Sequence, residues 1–588
     1  MPLNPQLIRV ALGKECADIV IQNGLLVNVA SGEIYPADIA VKGERIASIG
    51  PLPEGTIGPD TRVIDAKGLY LAPGFIDAHI HIESSMLTYT EFSKMVVRHG
   101  TTAVASDLME VTIVSGIEGM RELLAESKNT PVRLYYPVPS FMEEETGLQT
   151  IGSVLHASSI EELLKLPEAV GLAEVLGMPV LAESPQSAAV LKLAEDGKLT
   201  AEGHAPGLTG AALNAYASAG IRSDHESTNA REALEKLRAG LRVLMREGSA
   251  STDLLACLEI VVKDGVDTRH IAMVSDDIDA LHIQKLGHMD HKVRMAIKAG
   301  VTPMAALQMV TINPAESLKI DNESGSIAPG KYADIVFLSS LQECKVEKVI
   351  AKGALAVEAG NLTAGYPAPV YSDLLLNTVR LARPIEASDL AIAAPEGSEK
   401  AKAWVIGASG TTLLTKRMEA DLPVENGVVG PDVANDILHI ACVERYGKNG
   451  GIGKSFIHGV GLKDGAIAIS VGHDHHNITV AGTNLQDMAA AVNRVRDLSG
   501  GVVYVRNGKP ESEIALPVCG LLSTEPGEAV ARKLEELISA MDAQGSKLAS
   551  PNVTLSFITL IFIPELAITD QGLFDVERFS LIDPLIAG

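Results

Sequence analysis

Leu71-Ala-Pro-Gly-Phe-Ile-Asp-Ala-His-Ile-His81 is the stretch whose reading decides the fold. An apolar run is broken at Pro73-Gly74, resumes at Phe75-Ile76 and ends in His79-Ile-His81. On a strand, residues two apart point to the same face, so the two imidazoles emerge side by side and can share one divalent metal. Asp77 lies on the same side, and Glu83 continues the alternation past the strand end before Ser84-Ser85 open a loop. A strand terminus rich in polar ligand types is where a parallel α/β barrel keeps its chemistry.

Working outward, strand-like apolar runs fall at residues 75–81, 101–106, 132–137, 170–175, 199–204, 221–225, 241–245 and 271–275. Helical patterns follow most of them, at residues 91–99, 116–125, 187–193, 213–218, 230–239, 254–262 and 288–298. Eight such alternations closing on themselves fit a TIM-type (β/α)8 barrel. Upstream, short strands alternate with turn residues such as Asn23-Gly24 and Lys42-Gly43, and the same texture returns at residues 325–353. One small β-sandwich built from both flanks of the barrel accounts for this. The expected organisation is α/β: residues 1–72 as the first part of the sandwich, 73–317 as the metal-dependent barrel and 318–363 as the second part. Past the Pro/Ala/Tyr linker at 364–371, residues 364–588 make a C-terminal α+β domain, with strands at 466–470 and 501–505 and a helix at 485–498.

Composition narrows the function classes. The 588-residue chain is 46% hydrophobic, ample for several cores, yet no apolar run approaches the roughly 20 residues that span a bilayer. Residues 1–10 hold no basic segment followed by a long apolar run, so no secretory signal is expected and the location expected is cytoplasmic. The five cysteines have no paired spacing, which argues against a disulfide framework and makes them small buried hydrophobes. A formal charge of −25 without a Lys/Arg cluster excludes nucleic acid as the expected partner.

Further ligand types stand at the ends of successive predicted strands: Glu174, His204, His225 and Asp276. Together with His79 and His81 they make four histidines and two carboxylates, more than one zinc takes, so two metals sharing one carboxylate are natural. Glu174, midway in the barrel order, is the expected bridge. Asp276 is placed to meet the activated water as its base. Asp277 competes for that role. Glu83 and Glu202 each lie two residues from a ligand histidine, as proton donors to a ring nitrogen or as supports for an imidazole. His473-Asp-His-His-Asn477 reads as another metal site, a cover over the barrel mouth or a polar turn, and the glycine-rich stretch 447–453 lacks phosphate-loop spacing.

These motifs together resemble the amidohydrolase superfamily and, more narrowly, the bacterial adenine deaminase family. The resemblance rests on residues 73–86, Gly171-Leu-Ala-Glu174, Glu202-Gly-His-Ala-Pro-Gly-Leu208, Leu213-Asn-Ala-Tyr216, His225-Glu-Ser227 and Met245-Arg-Glu-Gly-Ser-Ala250. Ser275-Asp-Asp277, Val443-Glu-Arg-Tyr-Gly447 and residues 473–477 extend it over nearly the whole chain. It implies hydrolysis of adenine to hypoxanthine and ammonia in purine salvage by a hydroxide bridging two divalent transition-metal ions, Mn, Fe or Zn. His79, His81, Glu174, His204, His225 and Asp276 are the positions it implies as ligands or base, in a homo-oligomer, expected as a dimer. No ribose-binding feature accompanies them, so the free base is the expected substrate. One motif departs: Asp107-Leu-Met-Glu110 stands where the family commonly has Asp-Pro-His-Glu. An amidohydrolase acting on another aminated heterocycle or a cyclic amide is therefore the alternative.

Overall fold

A computed structural model describes residues 4–140, 147–249, 251–409, 412–562 and 565–587; Ala250 of the motif above lies outside the described residues. The apolar runs form the expected parallel strands: β1 (Phe75–Asp77), β2 (Thr101–Ala105), β3 (Arg133–Pro139), β4 (Ala169–Leu176), β5 (Thr200–His204), β6 (Ser223–Asp224), β7 (Arg242–Arg246) and β8 (Ile271–Val274). They lie in chain order in one eight-stranded sheet. Period-two alternation decides what each face meets. Leu244, Ala272 and Val274 pack with Ile76, Ala103 and Ala105, whereas their neighbours Val243, Met245, Ile271 and Met273 pack in a separate core with Leu258 and Val293 of surrounding helices.

The barrel closes between its first and last strands at their carboxyl ends. Ile80–His81 pairs in parallel with Asp276–Asp277, and the Asp276 N–H donates to the His79 carbonyl at 3.0 Å. Just below, the seam is held by a side chain: Asp77 Oδ1 accepts from the Ser275 N–H at 3.1 Å and the His79 N–H at 3.4 Å. Asp77 is thus spent on closure and does not join the histidines, since β1 stops before His79 and the alternation does not carry through. Nor does it continue beyond His81, where residues 82–85 turn into a 3-10 helix carrying Glu83.

Both flanks contribute to one nine-stranded sheet, in which Tyr70–Pro73 pairs with Ile335–Leu338. Leu71, Ile335 and Phe337 face this sheet's own core, while Ala72, Val336 and Leu338 face the core shared with the barrel. Asn23-Gly24 does not turn the chain. Ile19–Asn28 runs straight through it as one strand, with a register shift between Ile21 and Gly24 and a φ of 59° at Asn23. The left-handed tolerance that makes Asn-Gly a turn signal serves a β-bulge equally well. A Cβ at Gly24 would also lie 2.3 Å from Leu71 Cδ1.

The C-terminal portion forms a second nine-stranded sheet. Ala466 and Ala468 pack under the helix Leu485–Asp497, and Ile467 and Ile469 turn the other way into the core shared with the barrel. Backbone N–H groups of Lys448, Asn449 and Gly450 in the glycine-rich stretch, and of Tyr446 just before it, donate to the Glu444 carboxylate, so this loop is folded around its own anion. Four cysteines are buried, but Cys16 is exposed in the segment after the first helix. Among the described residues no helix is long and apolar enough to cross a membrane.

Candidate metal centre

At the carboxyl end of the barrel, His79, His81, Glu174, His204, His225 and Asp276 converge. Their donor atoms form overlapping groups: His79, His81 and Glu174; His79, His225 and Asp276; Glu174, His204 and His225. Glu174 Oε1 lies 3.4 Å from His79 Nε2, 3.5 Å from His81 Nε2 and 3.5 Å from His225 Nε2, and its Oε2 lies 2.7 Å from His204 Nδ1. Asp276 Oδ1 lies 3.4 and 3.6 Å from the Nε2 atoms of His79 and His81. His79 Nε2 and His204 Nδ1 are buried without a hydrogen-bond partner. Buried nitrogens facing carboxylate oxygens from several directions fit divalent cations between them.

Local backbone geometry aims the two carboxylates. The β4–β5 register shifts between Leu172 and Val175, and Glu174 within that bulge has a φ of 52°. A bulge re-aims the side chain it carries. Asp276, just past β8, has a φ of 59°. Left-handed non-glycine residues at a site are local strain held by the surrounding structure.

His204 ends β5, and its backbone N–H donates to Tyr216 Oη at 3.0 Å while that hydroxyl donates to the Val175 carbonyl of β4. Gly203 makes room for this staple, because a Cβ there would lie 2.4 Å from Tyr216 Oη. The Gly203 and Tyr216 positions in the quoted motifs are therefore two halves of one contact. His225 follows β6, whose last residue, Asp224, accepts from Ala205 N–H at 2.9 Å, Glu226 N–H at 3.0 Å and Lys236 Nζ at 2.5 Å. Asp224 and Lys236 are both fully buried, so removing one charge strands the other. Lys236→Met should destabilise the fold by about 3–5 kcal/mol. Urea unfolding of the variant measures this, and a loss below about 1 kcal/mol would mean that Asp224 is held by its backbone donors alone.

Arg246 and Glu226 lie in motifs quoted above, but nothing in those motifs gave them a role at the site. Arg246, at the end of β7, donates to Asp276 Oδ2 at 3.0 Å, Glu226 Oε1 at 2.5 Å and Asp253 Oδ2 at 3.1 Å. Burial pushes the Asp276 carboxyl up, but His79 and the Arg246 guanidinium outweigh it and hold it well below the carboxylate range. Glu174 is likewise pushed up by burial and held well below that range by His204 and His225. Asp277 faces the other way, accepting from Ser84 Oγ, with His473 Nε2 at 4.0 Å.

Glu202 lies 3.9 Å from His79 Nδ1, on the side of the ring opposite the donor Nε2. Asp107 stands in the same relation to His81, 3.5 Å from its Nδ1. Glu83 Oε1 accepts from the Val111 N–H at 3.5 Å and its Oε2 is buried without a partner. Burial, then Glu110 and Asp107, push its carboxyl up to about 8. Leu108 has a φ of 51°, a conformation closed to proline, so the 107–110 loop takes a path that Asp-Pro-His-Glu could not follow.

Residues 70–356 match the amidohydrolase family and residues 412–580 match the adenine deaminase C-terminal domain. The chain is 39% identical over 581 residues to adenine deaminase of Mesorhizobium japonicum, covering 98% of this chain and 96% of that one. It belongs to the adenine deaminase family. Adenine deaminase 1 of Carboxydothermus hydrogenoformans is 41% identical, with 97% of this chain and 96% of the relative covered. Among solved structures, beta-aspartyl dipeptidase of Fervidobacterium islandicum AW-1 aligns over 59% of this chain and 97% of its own at 16% identity and a TM-score of 0.46. Family membership rests on the full-length relatives, and it makes the chain a metal-dependent hydrolase.

Proposed function

We propose that this chain hydrolyses adenine to hypoxanthine and ammonia, with His79, His81 and Asp276 holding one divalent ion, His204 and His225 a second, and Glu174 shared between them. Glu174 carries this reading, because its two oxygens face all four imidazoles. When bound, the ions supply Lewis acidity and a water acidic enough to attack near neutral pH.

The remaining steps belong to side chains. Asp276 takes a proton from the attacking water and later returns it to the leaving amine. Glu83, neutral at pH 7 and with a free Oε2, gives its proton to ring N1 as the new C–O bond forms at C6. Collapse of the adduct breaks the C–N bond, releases ammonia and returns the hydroxyl proton to Glu83. Glu202 and Asp107 orient His79 and His81 from behind, as carboxylates commonly do for ligand imidazoles. Arg246 fixes the Asp276 carboxylate. The reading includes a cytoplasmic homodimer acting on a diffusible base.

Chelated protein reconstituted with Mn(II), Fe(II) or Zn(II) tests it. Two ions per chain at saturation are expected, with adenine absorbance lost in step with hypoxanthine and ammonia release. A fully metallated protein inert to adenine but active on a cyclic amide would overturn the substrate, and saturation at one ion would remove the shared role of Glu174.

A further inference from the structure

Between the barrel mouth and the C-terminal domain lies a cavity of about 10 Å3, lined on the barrel side by Ser84, Met86 and Asp277 and on the other by His473, Asn552 and Phe557. It holds about one water, whose place the edge of a ring would take. Ser84 and Asp277 place it there, three residues from His81 and one from Asp276.

His473 enters this cavity already oriented. The Gly472 N–H donates to His476 Nδ1 at 3.2 Å, so His476 Nε2 carries the hydrogen and donates it to Glu110 Oε2. Glu110 Oε1 then faces His473 Nδ1 at 3.0 Å, and the His473 ring stacks on Phe557 with centroids 4.5 Å apart. The opposite ring nitrogen, Nε2, is thereby turned toward Asp277. A carboxylate faces each ring nitrogen, Glu110 Oε1 at Nδ1 and Asp277 Oδ1 4.0 Å from Nε2, an arrangement that favours a hydrogen on both; burial opposes this, and Glu110, Asp474 and Asp277 offset it. Asn552 adds the complementary group: it is 6% exposed and its Oδ1 is buried without a hydrogen-bond partner. A donor and an orphaned acceptor in one enclosed cavity call for a ligand edge with an acceptor and a donor.

We propose that His473 and Asn552, both from the C-terminal domain, bind the edge of adenine remote from the reacting carbon, His473 Nε2–H donating to N3 and Asn552 Oδ1 accepting from N9–H. This rests on the function proposed above and adds the substrate's orientation and the source of its selectivity. Glu110 and His476 are positioning residues for His473. The C-terminal domain completes the substrate site, and a nucleoside is refused for two reasons: ribose removes the N9–H and needs volume the cavity lacks.

Direct binding to the metal-loaded protein tests this without requiring turnover. Hypoxanthine, 3-deazahypoxanthine and 9-methylhypoxanthine differ by one group each at N3 or N9, and each change should weaken binding to the wild type about 10–100-fold. His473→Leu should bind hypoxanthine about 10–100-fold more weakly and no longer distinguish it from the 3-deaza compound, and His473→Gln, which keeps an N–H, should recover part of the loss. Asn552→Ala should narrow the preference for hypoxanthine over the 9-methyl compound by about tenfold or more. Wild type that deaminates adenine yet binds all three compounds alike would overturn the proposal and leave the activity standing. Loss of both adenine turnover and hypoxanthine binding in the metallated wild type would overturn both.

Discussion

Asp276→Asn, loaded with its full metal complement, should deaminate adenine about 10²–10⁴-fold more slowly than the wild type. The two oxygens of Asp276 are differently committed: Oδ1 faces His79 and His81 Nε2 at 3.4 and 3.6 Å, while Oδ2 accepts from Arg246 at 3.0 Å. Asparagine keeps one oxygen for ligation but cannot carry a proton between water and the leaving amine. Its amide also places N–H against Arg246 or against the metal, so a modest fall in affinity for one ion is expected beside the larger fall in turnover. Metal analysis and turnover on the same preparation separate the two effects. Asp277→Asn is the comparison: Asp277 is turned to Ser84 and lines the cavity beside His473, so its loss should weaken substrate binding while leaving metal content unchanged and lowering turnover less than Asp276→Asn does. A dead Asp277→Asn beside an active Asp276→Asn would reverse the roles of the adjacent carboxylates.

How much of this was legible beforehand depended on whether the cause was local. Strand positions followed from short apolar runs ended by polar residues, and all eight barrel strands occur where the runs do. Ligand residue types at strand ends were visible because a parallel barrel presents that end to its site. Side-chain direction was less accessible. Asp77 and Glu83 were placed by extending a period of two through His79 and His81, but the strand breaks after Asp77 and coils after His81, and each break reassigns the side chains beyond it. Asn23-Gly24 carried a genuine left-handed preference that a bulge used in place of a turn. Glu110 and His473 meet across 363 residues of sequence, with no periodicity or spacing to connect them. The histidine-rich segment stood out by composition, and only the packing of two domains supplies its partner.

Glu174→Ala should abolish deamination, leaving no turnover above that of the metal-free protein, and should bring bound metal below two ions per chain. No other carboxylate in the centre belongs to both the His79/His81 donor group and the His204/His225 donor group. Removing it takes a ligand from each ion at once and leaves four imidazoles, three buried and His204 half-buried, to face one another around two positive charges, which electrostatics disfavours. The second ion should go first, because Asp276 Oδ1 stays 3.4 and 3.6 Å from the Nε2 atoms of both His79 and His81, whereas on the other side it groups with His225 but not with His204. Glu174→Gln sharpens the test: it preserves volume and one ligand oxygen, so the bulge at Leu172 to Val175 has no steric reason to relax. A Gln variant that loses one ion and nearly all turnover while unfolding at the same urea concentration as wild type would assign the effect to the carboxylate charge. Retention of two ions with near-normal turnover in either variant would mean that the ions are bridged by something other than Glu174, and the six-residue centre would have to be redrawn.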